Sequence, residues 1–298
     1  MIEQELAKIN RKERTLGKDV WRKLKKNRMA LVGMGIVIIF IMAAILAPLI
    51  APYDPIEQLI WAEGAEAQLA SPSRQHLFGT DIYGRDIFSR VIYGARISLQ
   101  IALASMSISL MIGIILGTLA GYYGGIIDDI ISWLINVLYS FPFLLFIIAI
   151  VAYFPPSLVL TFTAISLVYW MGIARVIRGQ VLSLKEKEFV EAARALGVRD
   201  YKIMFRHIFP NVMAPVIVQG TLGLGTIIML EAGLTYLGFG TQPPTPSWGL
   251  MIANGQSYIS PGQWWWSIFP GLAIVLTVLG FNLFGDGLRD ALDPRNKK

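Results

Sequence analysis

Residues able to do chemistry on their own are scarce in this sequence. Cysteine is absent, which removes thiolate nucleophiles, disulfide frameworks and cysteine-ligated metals or clusters. The two histidines, His76 and His207, are separated by several long apolar runs. The charge distribution described below puts them on opposite sides of a membrane, so they cannot form a two-histidine metal site within one chain. A phosphate cradle of the form Gly-x4-Gly-Lys-Ser/Thr is missing: the one Gly-Lys pair, Gly17-Lys18, is followed by Asp19. Any use of ATP therefore falls to a partner. Glu231 is the single acid in an apolar run over 212–237. An ionisable group inside such a run is unfavourable unless paired or wetted, which makes Glu231 a candidate for a solute path or an interface. Its place near the end of the run equally suits a carboxylate reaching water.

What remains is a polar stretch, residues 185–211, reading KEKEFVEAARALGVRDYKIMFRHIFPN between two apolar runs. Phe189, Ala192, Ala193 and Leu196 fall at the spacing of one helical face, with Lys187, Glu188, Glu191 and Arg194 left for water. Gly197 sits where a helix ends in a left-handed residue. Asp200 suits the N-cap of a second helix, on which Tyr201, Met204, Phe205 and Ile208 share a face and which Pro210 terminates. The spacing thus predicts a helix, a turn and a helix with two apolar stripes. Left alone, such stripes rest on a bilayer surface or on neighbouring loops.

The elements that must position this stretch are membrane spans. The chain has 298 residues, 55% hydrophobic and only 15% charged, against about 25% charged in soluble domains. Hydropathy predicts an all-α polytopic protein with six spans, at about 30–51, 97–121, 130–154, 157–177, 212–237 and from Trp264–Trp266 to about 284. External loops would cover 52–96 and 238–263, a cytoplasmic loop 178–211, and the cytoplasmic ends 1–29 and 285–298. The first run is too long for a signal-peptide core and lacks a convincing cleavage site, so it reads as a retained span. Charges set the orientation. With the amino terminus inside, ten Lys and Arg lie in the amino-terminal arm, eight from Arg175 to Arg206 and four in the tail, whereas Arg74, Arg85, Arg90 and Arg96 alone lie outside. Twenty-two against four is a strong positive-inside bias, and it explains the net charge of +6 without invoking nucleic acid. In the second span Gly113, Gly117 and Gly121 recur four apart, the spacing that lets two helices approach closely in lipid. Phe141-Pro142-Phe143 predicts a kink in the third.

Glu191-Ala192-Ala193, then Gly197, then a hydrophobic residue before Pro210, resembles the EAA loop of ATP-binding-cassette (ABC) importer permeases. His207 departs from the general pattern, which prefers an aliphatic residue there. Residues 76–81 (HLFGTD), Gly84-Arg85-Asp86, Ser89-Arg90 and 93–98 (YGARIS) resemble the segment before the second span in the dipeptide, oligopeptide and nickel permeases. So do 237–240 (LGFG) and 242–249 (QPPTPSWG) for an outer loop, both in the C-type subunit. By their own chemistry Gly79 and Gly84 permit tight turns, and Asp81, Arg85 and Asp86 are close enough to pair and brace the loop.

The resemblance implies a type I permease fold in the cytoplasmic (inner) membrane, paired with a B-type permease as a heterodimer. It implies two cytoplasmic ABC ATPase subunits that bind ATP and Mg, no cofactor or catalysis in this chain, and an external substrate-binding protein. Glu191, Ala192, Ala193, Leu196, Gly197, Met204, Phe205 and Pro210 would form the ATPase coupling site. Asp81, Gly84, Arg85, Asp86, Pro243, Pro244 and Trp248 would belong to the platform for the binding protein. Di- or oligopeptides are the expected solutes, with nickel or oligosaccharides as alternatives. A self-sufficient secondary transporter would carry paired ionisable residues near mid-membrane, where Glu231 is nearly alone. An intramembrane enzyme would need a nucleophile with its base, or a metal set, and neither is evident.

Overall fold

In the computed structural model, residues 16–293 are described. Four cations of the amino-terminal arm, Lys8, Arg11, Lys12 and Arg14, and Arg295, Lys297 and Lys298 of the tail lie outside them. The chain is helical, in order α1 (Leu16–Lys26), α2 (Arg28–Ile45), α3 (Ala47–Ile50), α4 (Ile60–Glu63), α5 (Ile87–Tyr123), α6 (Gly125–Tyr139), α7 (Phe143–Tyr153), α8 (Leu158–Lys185), α9 (Glu188–Ala195), α10 (Asp200–Ile203), α11 (Phe209–Tyr236), α12 (Trp248–Gly255) and α13 (Trp265–Leu292). Five helical segments are long and apolar enough to cross a bilayer, and six do so when the bent pair α6 and α7 counts as one span. That matches the six-span reading. The bend, 85°, falls at the expected proline, with Pro142 capping α7.

Several helices run past the edges that hydropathy suggested. Helix α5 starts ten residues before 97, because Asp86 caps it by accepting from the Ser89 amide (2.8 Å) and Ile87, Val91 and Ala95 bury a face. Helix α8 continues to Lys185 on the buried face of Ile177 and Val181. The expected stop at Pro210 is absent. Between α10 and α11 the backbone widens into one π-helical turn, Met204–Ile208, and the Phe209 amide reaches back five residues to the Met204 carbonyl. The wide turn accommodates Pro210 at the start of α11, so α10, the π turn and the fifth span form one continuous helix, Asp200–Tyr236.

The core is built on α5 and α8, which run side by side in the same direction. A Cβ on Gly113 would lie 2.7 Å from Ile173, one on Gly117 2.5 Å from the Ala174 carbonyl oxygen, and one on Gly121 2.9 Å from that of Arg178. The predicted glycine stripe is thus the contact line itself. Toward the amino-terminal ends of both helices, serines continue the pattern as interhelical bonds: Ser105 donates to the Phe162 carbonyl (3.3 Å), Ser166 to that of Ser105 (3.2 Å) and Ser109 to that of Ser166 (3.4 Å). Helix α13 packs on α2 through Gly33 and Gly280 and on α11 through Gly225 and Gly285.

Candidate functional site

Helices α9 and α10 sit on the side that the charge count assigns to the cytoplasm. Helix α9 ends as expected: Gly197 has φ +74°, its amide bonds the Arg194 carbonyl (3.0 Å), and the Val198 amide reaches that of Ala193 (3.1 Å). The expected face is corrected. Val190 and Ala193, with Ile203 and Ile208 from the following helix, are buried against the spans. Phe189, Ala192, Leu196, Tyr201 and Phe205 point outward, with Leu196 83% and Phe205 70% exposed. Phe189, Leu196 and Tyr201 are thus large apolar side chains exposed among charged neighbours, while Phe205 lines an apolar pocket with Ile114, Ile115, Leu119 and Phe209; Glu191 is exposed, as is Pro210, and Met204 is half-buried in the same pocket. A second expectation is also corrected. Asp200 does not cap its helix but lies in the first turn, where its carboxylate accepts the Tyr122 hydroxyl (2.6 Å) from the end of α5. The Arg194 guanidinium lies over the Tyr122 ring at 5.8 Å, so α9 and α10 are both fastened to α5. His207 is half-buried, its ring 6.5 Å from that of Phe189. Nearby, the Arg178 Nη2 donates to Asp128 (2.6 Å) and ties α8 to α6.

On the opposite side, 52–86 forms a polar brace. Asp81 is fully buried; it accepts from the Tyr83 and Arg85 amides (2.9 and 3.0 Å) and from the Arg85 Nε (2.6 Å). The Arg85–Asp81 pair is the one expected, whereas Asp86 pairs with the His76 Nδ1 (3.1 Å) and Ser89 instead. Tyr53 lies beside His76, and its burial, then the Glu63 and Asp86 carboxylates, push its phenol above the usual range. Gly84 (φ +71°) turns the chain where a Cβ would meet Ile60 at 2.9 Å. Trp248 is also inside: its indole N–H donates to the Val91 carbonyl (2.9 Å), and its ring lies where a Cβ on Gly94 would be. Asp81, Asp86 and Trp248 therefore shape this face rather than line it, whereas Arg85, though buried, also reaches its cleft. Exposed Pro243 and Pro244 do line it, at a cleft of about 550 Å3 shared with Tyr83, Asn254 and Tyr258.

Glu231 is fully buried and does not reach water. It accepts the hydroxyls of Ser98 on α5 (3.0 Å) and of Thr235 (2.9 Å), and Thr235 in turn accepts the Thr241 amide (3.2 Å). Among the described residues no ion pair to Glu231 is present. The carboxylate is a cross-brace between two spans. Glu231→Ala strands two buried hydroxyls and should destabilise the chain by about 1–3 kcal/mol. Thermal unfolding in detergent, followed by tryptophan fluorescence, checks this, and Glu231→Gln, which keeps an acceptor, should lose less. Nothing in local sequence signals the Ser98 or Tyr122 partners, since each acts across a long sequence separation.

Residues 113–298 match the family of binding-protein-dependent transport system inner membrane components, and 15–65 match the N-terminal transmembrane domain of oligopeptide transport permease C. The chain is 45% identical over 280 residues to the dipeptide transport system permease protein DppC of Alkalihalophilus pseudofirmus, covering 94% of this chain and 90% of the relative. It is 40% identical over 298 residues to the oligopeptide transport system permease protein OppC of Escherichia coli (99% and 97%). It is also 43% identical over 286 residues to the glutathione transport system permease protein GsiD of Salmonella typhimurium (95% and 92%).

Proposed function

Because the chain belongs to the inner membrane permeases of binding-protein-dependent ABC transport systems, we propose that it forms the C-type half of a heterodimeric path for di- or oligopeptides and couples that path to ATPases through α9 and α10. As a permease it is a multi-pass, non-catalytic subunit of the inner membrane, and ATP binds to the partner ATPases. The peptide assignment rests on the relatives: dipeptides, oligopeptides and glutathione, the solutes in their names, are all short amide-linked molecules with free carboxylates.

One observation carries the coupling role. Phe189, Leu196, Tyr201 and Phe205 project from a cytoplasmic loop whose backbone is fixed by the Gly197 turn and by the Tyr122–Asp200 bond. A cluster of large apolar groups on otherwise polar surface is what a protein groove takes up. The two ATPase subunits, closing on ATP, can shift the permease only by gripping one of its arrangements better than the other. A rigid projection supplies that grip. The external brace, with Pro243 and Pro244 at its rim, supports docking of a substrate-binding protein that delivers the peptide.

Gly197 provides the test. Space around it is open, so a side chain there meets no neighbour, but φ +74° is strained for any β-branched residue. Gly197→Val should therefore re-aim α9 relative to α10 and lower transport-coupled ATP hydrolysis severalfold in reconstituted vesicles, with membrane insertion unchanged. Wild-type coupling in that variant would count against the role.

A further inference from the structure

Helix α1 and the inner end of α13 form a charged recess at the cytoplasmic boundary. Leu24 is buried with Ala30 and Ala291, and Val20, Met34, Phe284 and Leu288 pack around them, so α1 is docked on the last span. Lys23 donates to the Ala291 and Asp293 carbonyls (both 3.3 Å), placing a cation at the carboxyl end of α13 where the helix dipole is negative. Arg22, Lys23, Lys26 and Asn27 then line a cleft of about 330 Å3 with Gly287, Asp290 and Ala291. Arg22 and Lys26 are one turn apart on α1, and Lys18, Lys25 and Arg28 are exposed around them. Asp19, paired with Arg22 at 2.9 Å, and Asp290 offset only part of this charge. Trp21 (45% exposed), with the Lys25 ammonium 5.1 Å from its ring, and Met29 (58%) and Val32 (53%) in the first turns of α2 are exposed apolar residues close to these cations in the chain.

We propose that this recess binds an anionic phospholipid of the cytoplasmic leaflet, with its headgroup phosphate between Arg22 and Lys26 and its acyl chains along Met29 and Val32. The shape of the charge selects this occupant. Cations precede and begin the first span, an exposed tryptophan stands among them in the chain, and exposed apolar residues follow in the first turns of α2. That sequence of layers matches an amphiphile rather than a free anion. A lipid fixed there would lock α1 to α13 and so hold the first and last spans together at their cytoplasmic ends.

The test uses the full chain purified with the subunits that accompany it, in discs of phosphatidylcholine titrated with phosphatidylglycerol or cardiolipin. Native mass spectrometry should find anionic lipid retained on the wild type, and its addition should raise the unfolding temperature. Arg22→Gln with Lys26→Gln should weaken this response on the order of 30-fold, whereas Lys18→Gln with Lys25→Gln, the same change in net charge, should weaken it less than about threefold. Arg22→Lys with Lys26→Arg, which keeps the charge, should restore binding and shows whether the glutamine pair merely misfolds. Equal losses in the two glutamine pairs, equal stabilisation by phosphatidylcholine alone, or a full wild-type response to inorganic phosphate would each overturn the proposal.

Discussion

A transporter carrying Leu196→Asp together with Phe205→Asp is expected to fold and insert normally yet lose ATP-driven peptide uptake completely. Both side chains are more than two-thirds exposed; in the free permease the carboxylate at 196 stays in water and changes stability by no more than about 0.5 kcal/mol, whereas that at 205 borders the apolar pocket of Ile114, Ile115, Leu119 and Phe209 and costs about 1 kcal/mol. In the docked state the same carboxylates would be driven into an apolar groove without partners, at a cost of about 3 kcal/mol or more apiece. Binding of the ATPases should then fall by more than about a hundredfold. Co-purification of the ATPases on a tagged permease, and uptake of a labelled dipeptide, read the two effects separately. Leu196→Met, which keeps apolar surface and volume, should leave both near wild type. Retention of the ATPases by the double aspartate variant would remove the projection from the interface.

The second large effect concerns Gly117. A Cβ there would lie 2.5 Å from the Ala174 carbonyl oxygen and 2.9 Å from the Ile177 Cβ, and backbone cannot swing aside as a side chain can. Gly117→Val therefore has to push α5 and α8 apart along the line that also carries Gly113, Gly121 and the serine bonds. Overpacking costs about 1–3 kcal/mol where neighbours can adjust, and here the loss of the adjoining contacts adds to it. The expected result is a chain that reaches the membrane in low yield and aggregates on extraction. Gly35→Val makes the control: it is equally helical, but nothing lies within 4 Å of its Cβ position, so it should behave as wild type in size-exclusion chromatography. A monodisperse Gly117→Val protein of wild-type thermal stability would refute this account of the packing.

Legibility in the sequence followed the range of the forces involved. Spans, the glycine contact line and the Gly197 turn are set by local periodicity and backbone sterics, and all could be read from neighbouring residues. The Pro142 bend was equally local. Readings failed where a partner far along the chain decided the outcome. Helical spacing placed Phe189 and Ala193 on one face, but only packing of Val190 and Ala193 against the spans turned the larger side chains outward. Asp200 has the chemistry of a cap, yet the Tyr122 hydroxyl claims its carboxylate. Glu231 also had the chemistry of a wetted carboxylate, but it is fully buried and accepts the Ser98 hydroxyl. Pro210 follows a breaker rule that a single π turn circumvents.

The unbroken helix from Asp200 to Tyr236 is about 55 Å long. It is pinned to α5 near both of its ends, by Tyr122–Asp200 at the amino-terminal end and by Ser98–Glu231 toward the carboxyl-terminal end. Two struts joined at both ends cannot slide past each other, and α8, seated on the glycine line of α5, adds a third member to the truss. A push on α9 and α10 is then transmitted as a tilt of the whole frame. In the heterodimer proposed above, the opening that admits a solute would then form along the outer edge of that frame, against the neighbouring subunit, and not by shear among the spans within it.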